Sequence, residues 1–397
     1  MAKRILIYTN HFYPEHFKIN EIVQWISSKE SHIRVITGIP NYPSGKIIKG
    51  YSNIFNDNVI INRLFLIPRG NGSNFRLIIN YITYFISCFW FSLYLAIFKK
   101  KYDVIFVHHT SPFFIAIHPL TYSIFHNSKK ILWDLDIWPE SLKAVDAIRS
   151  NIMSFFVKII VSWVYSKYQL ILVGSKTIKS LITKRYDGKI IYYPNWADIQ
   201  IEKNQKDINF GLQLNSNKFN IVYTGNIGKA QGFINLIKTI KLVDKNIHWT
   251  FVGDGRFKEE FKYLIQKHSL TEKTTFVDQV EIDKIPAIVD KASALFLSLK
   301  NEKIFSMTVP AKLQTYMALG KPIIGVLSGE GANIIKESRS GLTEENYDYI
   351  ELAKKINNFA NKSELELYEM GKNAMNYYQK KYNSDIRKKQ ILEIIYE

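Results

Sequence analysis

The chain has 397 residues, 47% apolar and 22% charged, which excludes a collagen-like or disordered polymer and, at this length, favours two domains over one core. Its single cysteine, Cys88, excludes a disulfide framework and any multi-thiolate metal site, and fits a reducing, cytoplasmic compartment. The formal charge of +18 is uneven, because residues 1–200 carry 24 Lys and Arg against 11 Asp and Glu, and the remainder 29 against 24. A basic first half attracts anions: nucleic acid, an anionic leaflet or phosphorylated substrates.

In chain order, MAKRILIYTN is basic but runs straight into an alternating strand, with no separate apolar region or cleavage site, so no secretory signal is expected. RILIYT, IRVIT, DVIFVHH, KKILWDLD, LILVGS and KIIYYPN are short, Ile- and Val-rich runs separated by segments long enough for crossover helices. That is the pattern of a parallel sheet covered on both faces, with ligands at the carboxyl ends of the strands. The stretch 77–98 is free of charge and is followed by Lys99, Lys100 and Lys101. By length it reaches across a bilayer, yet Asn80, Thr83, Ser87 and Ser92 form a weakly polar stripe. Three placements stay open, spanning, buried or lying in the membrane interface, and a monotopic protein is favoured. The apolar stretch 152–172 is interrupted by Lys158 and Lys167 and reads as a buried or surface-seated amphipathic helix.

Residues 198–217 are polar and aperiodic, the composition of a linker. The pattern then restarts with FNIVYTGNIG, IHWTFVGDG, TTFVDQV, SALFLSLK and KPIIGVL. Two doubly wound domains facing a cleft explain the restart. In the second half, YTGNIGKAQG sets Gly225, Gly228 and Gly232 between a strand and a helix, and FVGDGRF repeats the arrangement at Gly253 and Gly255. Glycine lets backbone amides approach an anion at a helix start, although plain turn chemistry explains such loops equally well. Neither loop is a P-loop or a G-x-G-x-x-G. In MTVPAKLQTYMALGKPII, Pro310 suits a first helical turn, Thr308 an N-cap, and Lys312 a place beside free amides, where a phosphate contact is expected.

In the first half, LWDLDIWPES carries Asp134, Asp136 and Glu140 in an apolar run. Alternation sends both aspartates to one side of the strand end, and Glu140 opens the next helix, where the dipole favours it. In VIFVHHTSP, His108 and His109 point to opposite faces. NHFYPEHFKIN offers Glu15 and Lys18, with Lys18 the natural contact for an acceptor diphosphate.

The motifs FYPEHFKIN, TGIPNYPSGKI, SPFFIAI, DLDIWPES, GNIGKAQG, VGDG and VPAKLQTYMALGKPII run in that order over nearly the whole chain. On them the sequence resembles the family-4 glycosyltransferases of the GT-B fold, in particular the bacterial O-antigen and capsule enzymes that include N-acetyl-L-fucosaminyl transferases. The resemblance implies an α/β fold of two Rossmann-like domains. The first, 1–197, would take the acceptor and face the membrane; after the linker 198–217, the second, 218–375, would hold the donor, and a helix within 376–397 would cross back to the first. It implies retention of configuration, no cofactor and no metal, so that the D-x-D spelling of Asp134 and Asp136 is not a cation site. It places His109 and Asp136 at the reacting sugar, Glu15, Lys18 and Glu140 with the acceptor, and Gly225, Asn226, Gly228, Gly253, Asp254, Lys312, Thr315 and Glu330 with the donor. The chain departs from the wider family where two glutamates eight residues apart are replaced by Met307 and Thr315, and where the basic residues of the glycine loop are replaced by Asn226 and Gln231. A different grip on the donor is therefore expected. The expected reaction moves a sugar, an N-acetylated deoxyhexosamine such as L-FucNAc being the candidate, from a UDP-sugar to an undecaprenyl-diphosphate-linked saccharide at the inner membrane surface. A UDP-sugar 2-epimerase of the same fold and a basic nucleic-acid-binding protein are the alternatives. No nucleic-acid recognition motif is present, and no nucleic-acid partner is expected.

Overall fold

The computed structural model describes residues 2–29, 31–70, 72–144, 147–148, 150–198 and 217–397. The expected linker 198–217 lies outside the described residues except at its two ends. The chain forms two compact units, one of Met1–Tyr193 with Lys388–Glu397, the other of Pro194–Arg387.

The first unit is built on a parallel sheet of seven strands, β1 Arg4–Thr9, β2 His32–Gly38, β3 Val59–Leu64, β4 Val104–His109, β5 Lys129–Asp134, β6 Leu170–Val173 and β7 Lys189–Tyr192. Their order is β3-β2-β1-β4-β5-β6-β7, so the winding reverses between β1 and β4. β4 is buried along its whole length, as strands covered on both faces must be. The second unit repeats the plan with six strands, β8 Phe219–Thr224, β9 Ile247–Val252, β10 Thr274–Val277, β11 Ala294–Ser298, β12 Ile323–Val326 and β13 Gly341–Glu344, in the order β10-β9-β8-β11-β12-β13. Its core is strongly aromatic: Phe233 stacks on Phe261 at 4.9 Å, and Trp249 meets Phe296 edge-on at 5.1 Å.

Two strands have no counterpart in the runs read from the sequence, β3 (VIINRL) and β13 (GLTE). Each is the outer strand of its sheet, half exposed and mixed in composition, so the apolar signal that marks an inner strand is diluted. The C-terminal segment is two helices, Glu364–Lys381 and Ser384–Tyr396, so the helix expected to begin near 376 is interrupted at Tyr382–Asn383. Within the first unit, Lys3 Nζ donates to the carbonyls of Ile395 and Tyr396, Lys129 Nζ to Ile394 and Gln390 Nε2 to Tyr192, which ties down the last turns.

Candidate active-site edges

In each unit the candidate residues gather where strands end beside the reversal of winding, the place where an open α/β sheet leaves a crevice.

At the first edge the loops leaving β1, β4 and β5 are cross-linked through side chains. Thr9 Oγ1 lies 2.9 Å from His108 Nδ1, and Asn10 Nδ2 donates to Thr110 O at 2.6 Å. Burial, with His11 and His109 nearby, pushes His108 down to about 3, so its ring is neutral. His109 lies on the opposite face of β4, wholly buried, with Nδ1 2.6 Å from Asp134 Oδ1. Tyr165 donates to Asp134 Oδ2, and burial next to that carboxylate holds the phenol well above its usual range, so it stays a donor. Among the described residues His109 Nε2, itself buried, has no hydrogen-bond partner. Asp136, two residues on, accepts from Ser111 Oγ, which itself accepts from Trp138 Nε1 at 3.0 Å. Both aspartates thus bond to residues at or just past the end of β4, although Asp136 lies beyond the end of β5, where alternation no longer applies. Among the described residues no three His, Cys, Asp or Glu converge as a metal set.

The three residues assigned to the acceptor are engaged within the protein. Glu15 is buried, with Oε2 2.7 Å from His11 Nδ1 and Oε1 accepting the amides of Asn41 and Tyr42, both at 2.7 Å. It shapes the loop rather than presenting a charge. Lys18, just before helix Ile19–Ser27, donates to Glu21 at 2.6 Å. Glu140 is paired in two-pronged fashion with Arg185, whose Nη1 also donates to Trp138 O at 3.2 Å. That pair anchors the whole loop leaving β5.

At the second edge the linking is by backbone. Gly225 has φ +112° and Gly253 φ +141°, and a Cβ on Gly253 would stand 2.2 Å from Gly225 O. Two loops pack back to back there, and only glycine permits it. The amides of Gly225 and Ile227 donate to Val252 O at 2.8 Å and Asp254 O at 2.7 Å, and that of Gly228 to Gln231 Oε1 at 3.0 Å. The amides of Gly225, Ile227 and Gly228 are therefore already bonded within the protein, and Gln231 serves the loop. Asp254 is exposed, with Oδ1 accepting from Gly255 N at 2.8 Å.

Lys312 lies in the first turn of helix Ala311–Ala318, as expected, but its side chain is half-buried. It folds over the ring of Tyr223, Nζ 3.9 Å from the centroid, and donates to the Tyr223 hydroxyl. A Cβ at Gly225 would meet Lys312 Cε at 2.8 Å, so that glycine also makes room for the lysine. Burial lowers Lys312 to about 7. Tyr223 and Tyr316, whose hydroxyl receives the Thr224 amide at 2.9 Å, were missed in the sequence; an aromatic at a strand end reads as core there. Pro310 is the N-cap position itself, and Thr308 instead closes helix Lys303–Met307. Thr315 Oγ1 bonds back to Ala311 O at 3.3 Å. Glu330 is buried at the start of helix Glu330–Ser338, and a Cβ on its neighbour Gly331 would lie 3.4 Å from Pro310 Cδ, so the two helix starts adjoin.

Two parallel-sheet Rossmann-like domains with candidate residues at the reversal of each sheet define the GT-B class of glycosyltransferase fold. Residues 204–377, which fall in the second unit, match the family described as Glycosyl transferases group 1. The chain is 24% identical over 342 residues, 81% of each chain, to WbjE of Pseudomonas aeruginosa, described as a probable glycosyltransferase. It shares its fold with Anabaena HepE in complex with UDP (TM-score 0.70, 13% identity, 99% of each chain). It also shares it with WaaG, a glycosyltransferase involved in lipopolysaccharide biosynthesis (TM-score 0.68, 11% identity, 98% of this chain and 99% of the other).

Proposed function

We propose that the protein is a retaining glycosyltransferase of surface-polysaccharide assembly. It transfers a sugar, an N-acetylated deoxyhexosamine such as L-FucNAc, from a UDP-sugar held by the second unit to an undecaprenyl-diphosphate-linked saccharide held by the first, on the inner face of the membrane. The group 1 match in the second unit, UDP in the fold relative HepE and the lipopolysaccharide role of WaaG support this reading. The observation that carries it is Lys312. Among the described residues it has no carboxylate within ion-pair distance, yet it stands at a helix start beside the glycine loops. A cation held on an aromatic ring without a counter-ion is a seat for an anion.

On this reading Lys312 and the start of helix Ala311–Ala318 take up charge as the diphosphate leaves, and attack comes from the same face of the sugar. His109, its Nδ1 committed to Asp134 and its ring buried, acts on the reacting sugar through the polar network at the end of β4 and not by touching it. Asp136, which accepts from Ser111 Oγ in the loop leaving β4, orients the acceptor. Thermal stabilisation of the full chain by a panel of nucleotides and nucleotide sugars is the test. Uridine nucleotides should raise Tm in the wild type and lose that effect in Lys312→Ala. Stabilisation by no nucleotide, or the same shift in the variant, overturns the reading.

A further inference from the structure

Helix Asn74–Phe98 is inside out for a protein in water. Its inner row is hydrogen-bonding or small down to Leu95: Asn80 Nδ2 donates to Ile67 O at 2.7 Å, Tyr84 OH to Thr9 O at 3.0 Å, Cys88 is fully buried, and Tyr8 OH donates to Ser92 Oγ at 3.0 Å. Its outer row, spaced by one turn, is Ile78, Ile82, Ile86 and Trp90, all half exposed or more, with Trp90 at 63%. Helix Asn151–Tyr165 also carries a bare apolar row, with Phe156, Ile159, Ile160 and Trp163 turned outward while Ser154, Val161, Val164 and Tyr165 are buried.

The two helices belong to one face. The connections β3 to β4, β4 to β5 and β5 to β6 all step in the same direction across the sheet, and right-handed crossovers therefore put all three on the same side. Between the helices lies the β4–β5 connection, where Phe114 and Phe125 are exposed. It touches both: Phe85 is 5.8 Å from Phe114, and Phe113 is 5.8 Å from Tyr165. A continuous apolar surface of this extent is far beyond the scattered exposed residues of a soluble monomer.

Charge names the occupant. Residues 74–101, 113–126 and 150–169 contain Arg76, Lys99, Lys100, Lys101, Lys158 and Lys167 and no Asp or Glu. Lys99 Nζ lies 5.8 Å over the Tyr94 ring and Lys167 Nζ 5.5 Å over Trp163, aromatic and lysine paired at the end of each helix as they pair where acyl chains meet headgroups. A second copy would bring like charges against each other. A spanning helix would strip Asn80, Tyr84 and Ser92 of their bonds to the sheet.

We propose that these three segments form a single face that lies in the plane of an anionic bilayer interface, with helix Asn74–Phe98 flat on the membrane and not across it. This rests on the proposed lipid-linked acceptor only for the choice of leaflet. The same helix bonds to Thr9 O and Ile67 O, so the seat is fastened directly to the loops leaving β1 and β3.

The test uses the full chain without substrate, so its failure is separate from any failure of sugar transfer. Among the described tryptophans only Trp90 and Trp163 are exposed, the other five being buried. Phosphatidylglycerol vesicles with brominated acyl chains should quench their fluorescence, and Trp90→Phe with Trp163→Phe should abolish the quenching. Binding should weaken but persist in high salt and be released by alkaline carbonate. Ile82→Ser with Ile160→Ser should weaken binding in high salt by roughly tenfold. If the serine variants misfold, the tryptophan pair still decides. Binding without quenching, complete loss in salt, resistance to carbonate, or a lipid-free dimer that shields the tryptophans would each overturn the proposal.

Discussion

The two strand-end edges are built on the same topology and stabilised by opposite means. In the first unit, side chains answer one another: His109 with Asp134 and Tyr165, Asp136 with Ser111, Glu140 with Arg185, Glu15 with His11 and two amides. In the second, glycines at positive φ let two loops touch, and Lys312, a half-buried cation with no carboxylate within ion-pair distance among the described residues, rests on an aromatic ring. An edge whose charges are mutually satisfied holds groups in place, whereas an edge with an uncompensated cation is ready to take an anion. Removing groups from the two edges should therefore have different consequences: lost stability at Asp134 and Glu140 in the first, lost donor binding at Lys312 in the second.

The largest effect is expected at Lys312. If it grips the donor diphosphate, Lys312→Ala loses a charge-assisted contact of about 1.5–3 kcal/mol, and more as the leaving phosphate gains charge. Steady-state kinetics should show kcat/KM lowered roughly tenfold to several hundredfold, with Lys312→Arg partly restoring it. Tm should hardly move, because a lysine whose pKa is pushed down to about 7 by burial is a cost to folding when charged. A large fall in Tm would make Lys312 structural and erase the contrast between the edges.

Next is Asp134. Asp134→Ala leaves the Tyr165 hydroxyl and His109 Nδ1 buried without their partner, and a loss of about 3 kcal/mol is expected from denaturant midpoints. UDP binding should be untouched. Unchanged stability would show that the first edge is not held by its polar network.

Arg185→Met should cost less, about 1–3 kcal/mol, because Glu140 keeps some access to water once its partner is gone. The loop leaving β5 should then become more open to proteolysis.

A smaller effect lies in pH. In the free protein Lys312 loses its proton near pH 7, and a bound diphosphate would hold that proton on. Binding above that pH thus takes up a proton, so UDP affinity should fall as pH rises, by at most about tenfold per unit. Calorimetry above about pH 7.5, where the phosphate itself is fully ionised, should show the slope in the wild type and none in Lys312→Met. The smallest expected effect is that of chelator: turnover should survive EDTA, and loss that is restored by magnesium or manganese would return Asp134 and Asp136 to consideration as a cation site.

The inner strands were legible because a strand covered on both faces must be apolar throughout, as VIFVHH and FNIVYT are. Of the outer strands, β7 and β10 still read as apolar or β-branched runs, whereas β3 and β13 mix polar residues into their runs, which one bare edge allows. Site positions were legible as punctuation, a glycine or a charge at the end of an apolar run, but their partners were not. Nothing local announces that Glu140 meets Arg185 or that Lys312 meets Tyr223, 89 residues away.

By itself the sequence determined the two-fold α/β plan, the glycine loops and the basic first half, because periodicity, turn chemistry and charge are local properties. Only the tertiary structure decided which amides were already spent, that Lys312 is buried on a ring, and that helix Asn74–Phe98 turns its polar row inward and its apolar row out. The direction in which a helix faces depends on what the rest of the chain packs against it, and a charge-free stretch is spelled the same way in every case.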